Sequence, residues 1–162
     1  EIDSIKKLNL ENRIIKGVII FILCLLSLIT IVYSWNFKDR ISFWTDAVKT
    51  SPDHPLAHRN LGAMYYLDGR LDDAKPEFEK ALQLNPNEQM AHNNLGLVYM
   101  NKGDYKRAEE EFKKEIQINP FYDDVYFNYG LLFYKQGNND RAQELWKKVL
   151  EINPDYATLK SK

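Results

Sequence analysis

The chain has 162 residues, with 22 Lys and Arg against 23 Asp and Glu, for a formal net charge of −1 at pH 7. That balance leaves no basic surplus for nucleic acid, and the lone cysteine, Cys24, has no partner in the chain for an intramolecular disulfide. The length suits about one ordinary domain, but the composition is uneven, and the first third differs from the rest.

Residues 1–16 form a charged flank carrying Lys6, Lys7, Arg13 and Lys16. From Gly17 to Trp35 no residue is charged. The run GVIIFILCLLSLITIVYSW would span about 28 Å as a helix, close to the roughly 30 Å hydrocarbon layer of a bilayer. A buried core helix is the alternative, yet no other segment offers an apolar face wide enough to cover one that is apolar all round. A cleaved signal peptide fits less well, because the run is long and no small-x-small site follows it. Residues 17–35 are therefore predicted to be a transmembrane helix, with Tyr33 and Trp35 at its watery boundary. Four basic residues before the span against Lys38 and Arg40 close after it place the flank in the cytoplasm. Everything after the span is then expected on the non-cytoplasmic side, periplasmic or lumenal. The chain starts at Glu1 instead of Met, and the expectation is a piece of a longer parent.

Beyond the span one text is written three times: NLGAMYYLDGRLDDA at 60–74, NLGLVYMNKGDYKRA at 94–108 and NYGLLFYKQGNNDRA at 128–142. The period is 34 residues, which points to stacked supersecondary units. In each unit, apolar residues at helical spacing run up to Gly69, Gly103 or Gly137, then resume and stop before Pro86, Pro120 or Pro154. Each unit reads as helix, tight turn, helix, with glycine just past the first helix and proline ending the second. A second glycine, at 62, 96 and 130, sits inside the first helix, where it should cost up to about 1 kcal/mol relative to Ala. Close approach of the neighbouring helix offsets that cost. Ala74, Ala108 and Ala142 supply the facing small surface, and Phe78, Phe112 and Trp146 the bulk one turn later, beside Tyr65, Tyr99 and Phe133.

A half-size copy comes first. Trp44, Ala47, Val48 and Pro52 occupy the positions of Phe78, Ala81, Leu82 and Pro86, although Arg40 stands where Ala74 would be. Residues 36–54 are predicted to hold a lone second helix that caps the first full unit, since solenoid ends need covering. The organisation expected is a flank (1–16), a transmembrane helix (17–35), a capping half-repeat (36–54), units at 55–88, 89–122 and 123–156, and a tail (157–162) too short to cap the other end.

The positions of Leu-Gly, Tyr, Gly, Ala, Phe and Pro match the tetratricopeptide repeat three times in register, and residues 55–156 resemble that family. The resemblance implies an all-α fold in which one transmembrane helix is followed by an α-solenoid of three helix pairs and a half-repeat. Departures are His58, His92 and Tyr126 where Trp is usual, Glu115 where the first unit has the small Ala81, and Pro76 early in a second helix. A last membrane span, then SFWTDAVKTSPDHPLAHRNLG, then such repeats is also similar to the C-terminal end of polytopic mannosyltransferase-like membrane proteins. The implied role is an acceptor-recruiting tail of a glycosyltransferase-like enzyme, whose catalytic loops this chain lacks.

No catalytic, metal or cofactor site is expected. His54 and His58 are four apart, but Pro55 starts a helix and leaves His54 outside it, and His58 and His92 recur at the repeat period as packing positions. Glu109, Glu110 and Glu111 are expected on a solvated outer face. No phosphate loop, nucleophile elbow or spaced metal-ligand set is present. Binding is the better expectation. In the family the first helices line a concave surface, and the corresponding residues are Arg59, Asn60 and Tyr66, then Asn93, Asn94, Leu97 and Met100, then Phe127, Asn128, Leu131 and Tyr134. Asn60, Asn94 and Asn128 form a row of amides able to bracket an extended backbone with both donor and acceptor. The Lys/Asn pattern that clamps C-terminal carboxylates is absent, with Ala63 in place of Asn. The expected partner is a peptide or protein, with the membrane held through 17–35 and no nucleic acid.

Overall fold

The computed structural model describes the backbone of residues 2–156 and, within it, the side chains of residues 15–31 and 40–156. Seven helices make up the described residues: α1 (Ile2–Thr50), α2 (Pro55–Leu67), α3 (Leu71–Leu84), α4 (Ala91–Asn101), α5 (Tyr105–Ile118), α6 (Asp123–Lys135) and α7 (Asn139–Ile152). The chain divides into two units, Glu1–Ser42 and Phe43–Lys162.

The first unit is helical throughout its described part. α1 runs to Thr50, since between Ile2 and Thr50 the only glycine is Gly17 and there is no proline. The separate transmembrane helix expected over 17–35 is not found. Among the described residues no helix is long and apolar enough to cross a membrane, and the side chains of the last four residues of that run lie outside the described ones. Within the described stretch the large apolar side chains from Ile15 to Ile31 are exposed.

In the second unit α2 packs on α3, α4 on α5 and α6 on α7, and α3–α4 and α5–α6 contacts join successive pairs. The inner glycines make the pairs this close. A Cβ on Gly96 would stand 2.7 Å from the Phe112 ring, and one on Gly130 would stand 2.5 Å from Trp146 Nε1, with the alanine opposite (Ala108, Ala142) fully buried. The closing glycines do a different job. Gly69, Gly103 and Gly137 have φ of +74°, +79° and +78°, and behind each the next amide reaches back five residues, Asp104 N to Tyr99 O at 2.9 Å in the second pair. That is the bond pattern of a helix closed by a left-handed residue.

The residues in place of Trp find a common use. His58 Nε2 faces the Pro52 carbonyl at 2.8 Å, His92 Nε2 faces that of Pro86 at 3.2 Å, and the Tyr126 hydroxyl donates to that of Pro120 at 3.0 Å. Each ties the start of a first helix to the turn before it. The other ring nitrogen of the histidines meets a carboxylate of the second helix, Glu77 or Glu111, at 2.6 Å. Glu111 is therefore buried, against the expectation of a solvated face for Glu109, Glu110 and Glu111; only Glu110 of the three is exposed. Burial alone would raise the Glu111 carboxyl, but hydrogen bonds from His92 and Lys114 outweigh it and hold it below the usual range.

Glu115 departs further. Fully buried, its carboxylate accepts from Met90 N at 3.0 Å and Asn93 N at 3.2 Å, two amides at the start of α4 that no side chain of the turn caps. Met90 has φ +65°, and α4 begins two residues later than the 34-residue frame predicts from α2. Ahead of α2, Trp44, Ala47 and Thr50 share a small cavity of about 190 Å³ with Leu56 and Ala57, and Trp44 is half-buried.

Candidate functional site

The first helices stand side by side, α2 against α4 and α4 against α6, and an open groove of about 380 Å³ runs across them. Its apolar lining includes Tyr66, Leu97 and Phe127, joined by Met90 and Tyr122 from the turns before α4 and α6. Three amides, Asn93, Asn94 and Asn128, and two charges, Arg59 and Asp124, complete the polar part. The mixture suits a chain with its own amides and a few apolar side chains.

The amides are linked. Asn128 Nδ2 donates to Asn93 Oδ1 at 2.9 Å, and Asn93 Nδ2 donates to Asn94 Oδ1 at 3.4 Å. Asn93 is 3% exposed, so its amide is a relay inside the wall. Asn94 Nδ2 and Asn128 Oδ1 have no partner among the described residues, leaving one donor and one acceptor on neighbouring helices. An extended peptide presents the complementary carbonyl and N–H. The row expected at 60, 94 and 128 is thus displaced at one end: Asn60 is half-buried but does not line the groove.

Of the other residues singled out from the sequence, Arg59, Tyr66, Leu97 and Phe127 come together in the groove. Tyr66 is oriented by Asn101 Nδ2, which donates to its hydroxyl at 2.8 Å. Met100 packs in the core at 4% exposure, Leu131 is half-buried outside the groove, and Tyr134 is exposed and tilted against Trp146 at 5.8 Å between ring centroids. Periodicity did not point to Met90, Tyr122 or Asp124. Met90 arrives because α4 starts late, and the other two sit at the mouth of α6, where counting along a helix face says little.

Burial pushes the Tyr122 phenol up, with the carboxylates of Asp124, Glu115 and Asp123 adding to it. Tyr122 is a neutral donor at any physiological pH. Arg59 Nε lies 3.3 Å from Glu88 Oε1, but its N–H is not directed there and makes no hydrogen bond. The guanidinium's Nη1 donates only to the Met90 thioether at 3.6 Å. Among the described residues no group of three or more His, Cys, Asp or Glu could hold a metal ion; His58 turns to Glu77 and Pro52, not to His54.

Two tetratricopeptide repeat profiles match the chain, one at residues 43–75 and 68–123 and the other at 99–162. The chain belongs to the tetratricopeptide repeat family. Among solved structures, MamA is 28% identical over 75% of this chain and 71% of its own, with a TM-score of 0.65. YrrB, described as a tetratricopeptide protein with an unusual peptide-binding site, is 22% identical over 78% of this chain and 65% of its own, with a TM-score of 0.66. The first tetratricopeptide domain of Spaghetti (RPAP3), bound to the HSP90 peptide SRMEEVD, is 21% identical over 62% of this chain and 80% of its own, with a TM-score of 0.59. The last two likenesses concern the fold alone. No curated protein matches the chain in sequence.

Proposed function

We propose that the tetratricopeptide region is a protein-interaction module whose groove captures an extended polypeptide, tethered to a membrane by the apolar part of α1 and exposed on its non-cytoplasmic side. The observation that carries the binding reading is the open donor on Asn94 and open acceptor on Asn128, set between Tyr66, Leu97 and Phe127. Amides of this kind engage a peptide's main chain whatever its sequence, while the rings and Leu97 take its apolar side chains. The peptide-binding site named for YrrB and the peptide bound to Spaghetti make the same use of this fold reasonable here.

The test is capture of capped, extended peptides by the folded protein. Replacing Asn94 and Asn128 with Ala together should weaken capture by about tenfold, near 1.4 kcal/mol. Asn60→Ala, outside the groove, should change nothing. Undiminished capture by the double variant overturns the reading.

For the tether, the support is a described helical stretch with large apolar side chains exposed from Ile15 to Ile31. Its two hydroxyls are satisfied within the helix, Ser27 Oγ donating to Cys24 O and Thr30 Oγ1 to Leu26 O, both at 2.8 Å. Such a surface meets a bilayer's demand that polar groups be paired internally. Resistance of the full chain to alkaline extraction from membranes is expected, and release into the supernatant would count against it. Digestion of the repeats by protease added outside sealed, right-side-out vesicles tests the sidedness. The further reading, an acceptor-recruiting tail of a glycosyltransferase-like membrane enzyme, draws on the junction sequence alone.

A further inference from the structure

Three irregularities meet at the α2 end of the groove. Arg59 Nε is the one buried side-chain nitrogen or oxygen without a hydrogen-bond partner among the described residues. Met90 is the one non-glycine residue there with positive φ. Glu115, a fully buried carboxylate, holds the Met90 amide in that conformation. Native proteins pair nearly all their buried polar atoms, and backbone strain gathers where ligands are gripped. Arg59 carries five N–H donors, yet its side chain, 18% exposed, offers them a thioether and an ill-directed carboxylate. The guanidinium is short of acceptors, and the side from which they can come is the groove.

We propose that Arg59 is the anchor for one acidic side chain of the captured peptide. The assignment rests on the groove being a peptide site. A carboxylate can take two parallel N–H donors of the guanidinium, and such charge-assisted bonds are about twice as strong as neutral ones. Glu88 is not stranded when Arg59 turns to the ligand, because Asn85 Nδ2 also donates to it at 3.1 Å. The anchored group is assigned to a side chain, so that the main chain bracketed by Asn94 and Asn128 passes Arg59 without ending there. Asp124 on α6 supplies the opposite sign, so an acidic residue is favoured at the α2 end and disfavoured at the α6 end.

The probe is an array of acetylated and amidated nonapeptides on a Leu/Ala frame, each carrying a single Glu, Gln or Lys at one position. The wild-type chain is expected to bind Glu at least fivefold more tightly than Gln at one position in the frame. Arg59→Gln should bring that ratio to one, with a helical circular dichroism spectrum and thermal melt matching wild type to report that the variant is folded; Arg59→Lys should keep a reduced ratio. Equal binding of Glu and Gln peptides, a preference for Lys, a ratio surviving in Arg59→Gln, or binding of the Glu peptide only with a free C-terminus each overturns the assignment and leaves the groove reading standing. Failure of every peptide to bind removes the groove reading, and this inference with it.

Discussion

The middle helix pair, α4 and α5, and the pairs on either side share one 34-residue frame but solve the same junction with different chemistry. In the first and third pairs the position facing the start of the first helix is apolar, Ala81 and Val149, and α2 and α6 begin in register. In the middle pair it is Glu115, whose carboxylate gathers two amides, turns Met90 left-handed and delays the helix. The late start swings Met90 into the groove beside Arg59. One residue in a second helix has thus changed the lining of a surface built by first helices.

The comparison breaks most severely if the middle pair's solution is moved. Ala81→Glu puts a carboxylate in a fully buried site with no Met90-like turn to receive it, and an unpaired buried charge should cost about 3–5 kcal/mol, read as a lowered urea midpoint; near-neutral stability would mean that the first pair can rearrange as the middle one has. The reverse change, Glu115→Ala, strips the acceptor from Met90 N and Asn93 N and should cost about 2–3 kcal/mol. It should also return Met90 to negative φ, visible in its backbone chemical shifts, and an unmoved Met90 would show that something other than Glu115 holds the turn.

Glycine sharpens the comparison by rank. Adding a Cβ at positions 62, 96 and 130 meets Phe78 at 3.0 Å, Phe112 at 2.7 Å and Trp146 at 2.5 Å. Destabilisation by Ala should grow in that order, reaching about 1–3 kcal/mol at Gly130, despite the better helix propensity of Ala. Thermal melts with Gly62→Ala as the worst case would refute the packing account.

The smallest effect concerns acid. Glu111 has its carboxyl held below the usual range in the folded state, so its contribution is complete above the unfolded value of about 4.3. It is lost as pH falls through the folded one. Glu111→Gln should therefore lose stability at pH 7 and show a flatter decline than wild type between neutral pH and pH 3; parallel declines would remove Glu111 from the acid response.

Much of this architecture was legible in the text. Repeated Gly-Gly-Ala-Phe spacing is a packing statement: a residue without Cβ facing a ring one repeat element away has few other uses, and three copies in phase say where the turns and helix pairs lie. Arg59, Asn94, Leu97 and Asn128 reached the groove because helical periodicity alone sends them to one face. Glu111 was misplaced for the same reason, and Asn93, which lines the groove as expected, turned out to be almost wholly buried there. Their burial goes with hydrogen bonds to His92 and Asn128, partners 19 and 35 residues away, and a period of 3.6 carries no information about a hydrogen bond between helices. The change from apolar to polar composition after Trp35 marks no helix stop: with no proline or glycine after Ser34 until Pro52, the backbone has no reason to break, and α1 ends at Thr50.

By itself the sequence determined the repeat length, the helix-turn-helix units and the family, since these follow from local conformational preference and from the size of side chains at fixed spacing. Only the tertiary structure decided which polar groups are buried and which are offered to a ligand. That choice is settled by desolvation: a carboxylate or amide stays inside where a facing helix supplies its hydrogen bonds, as for Glu115 and Asn93, and Arg59 stands out because its Nε finds none.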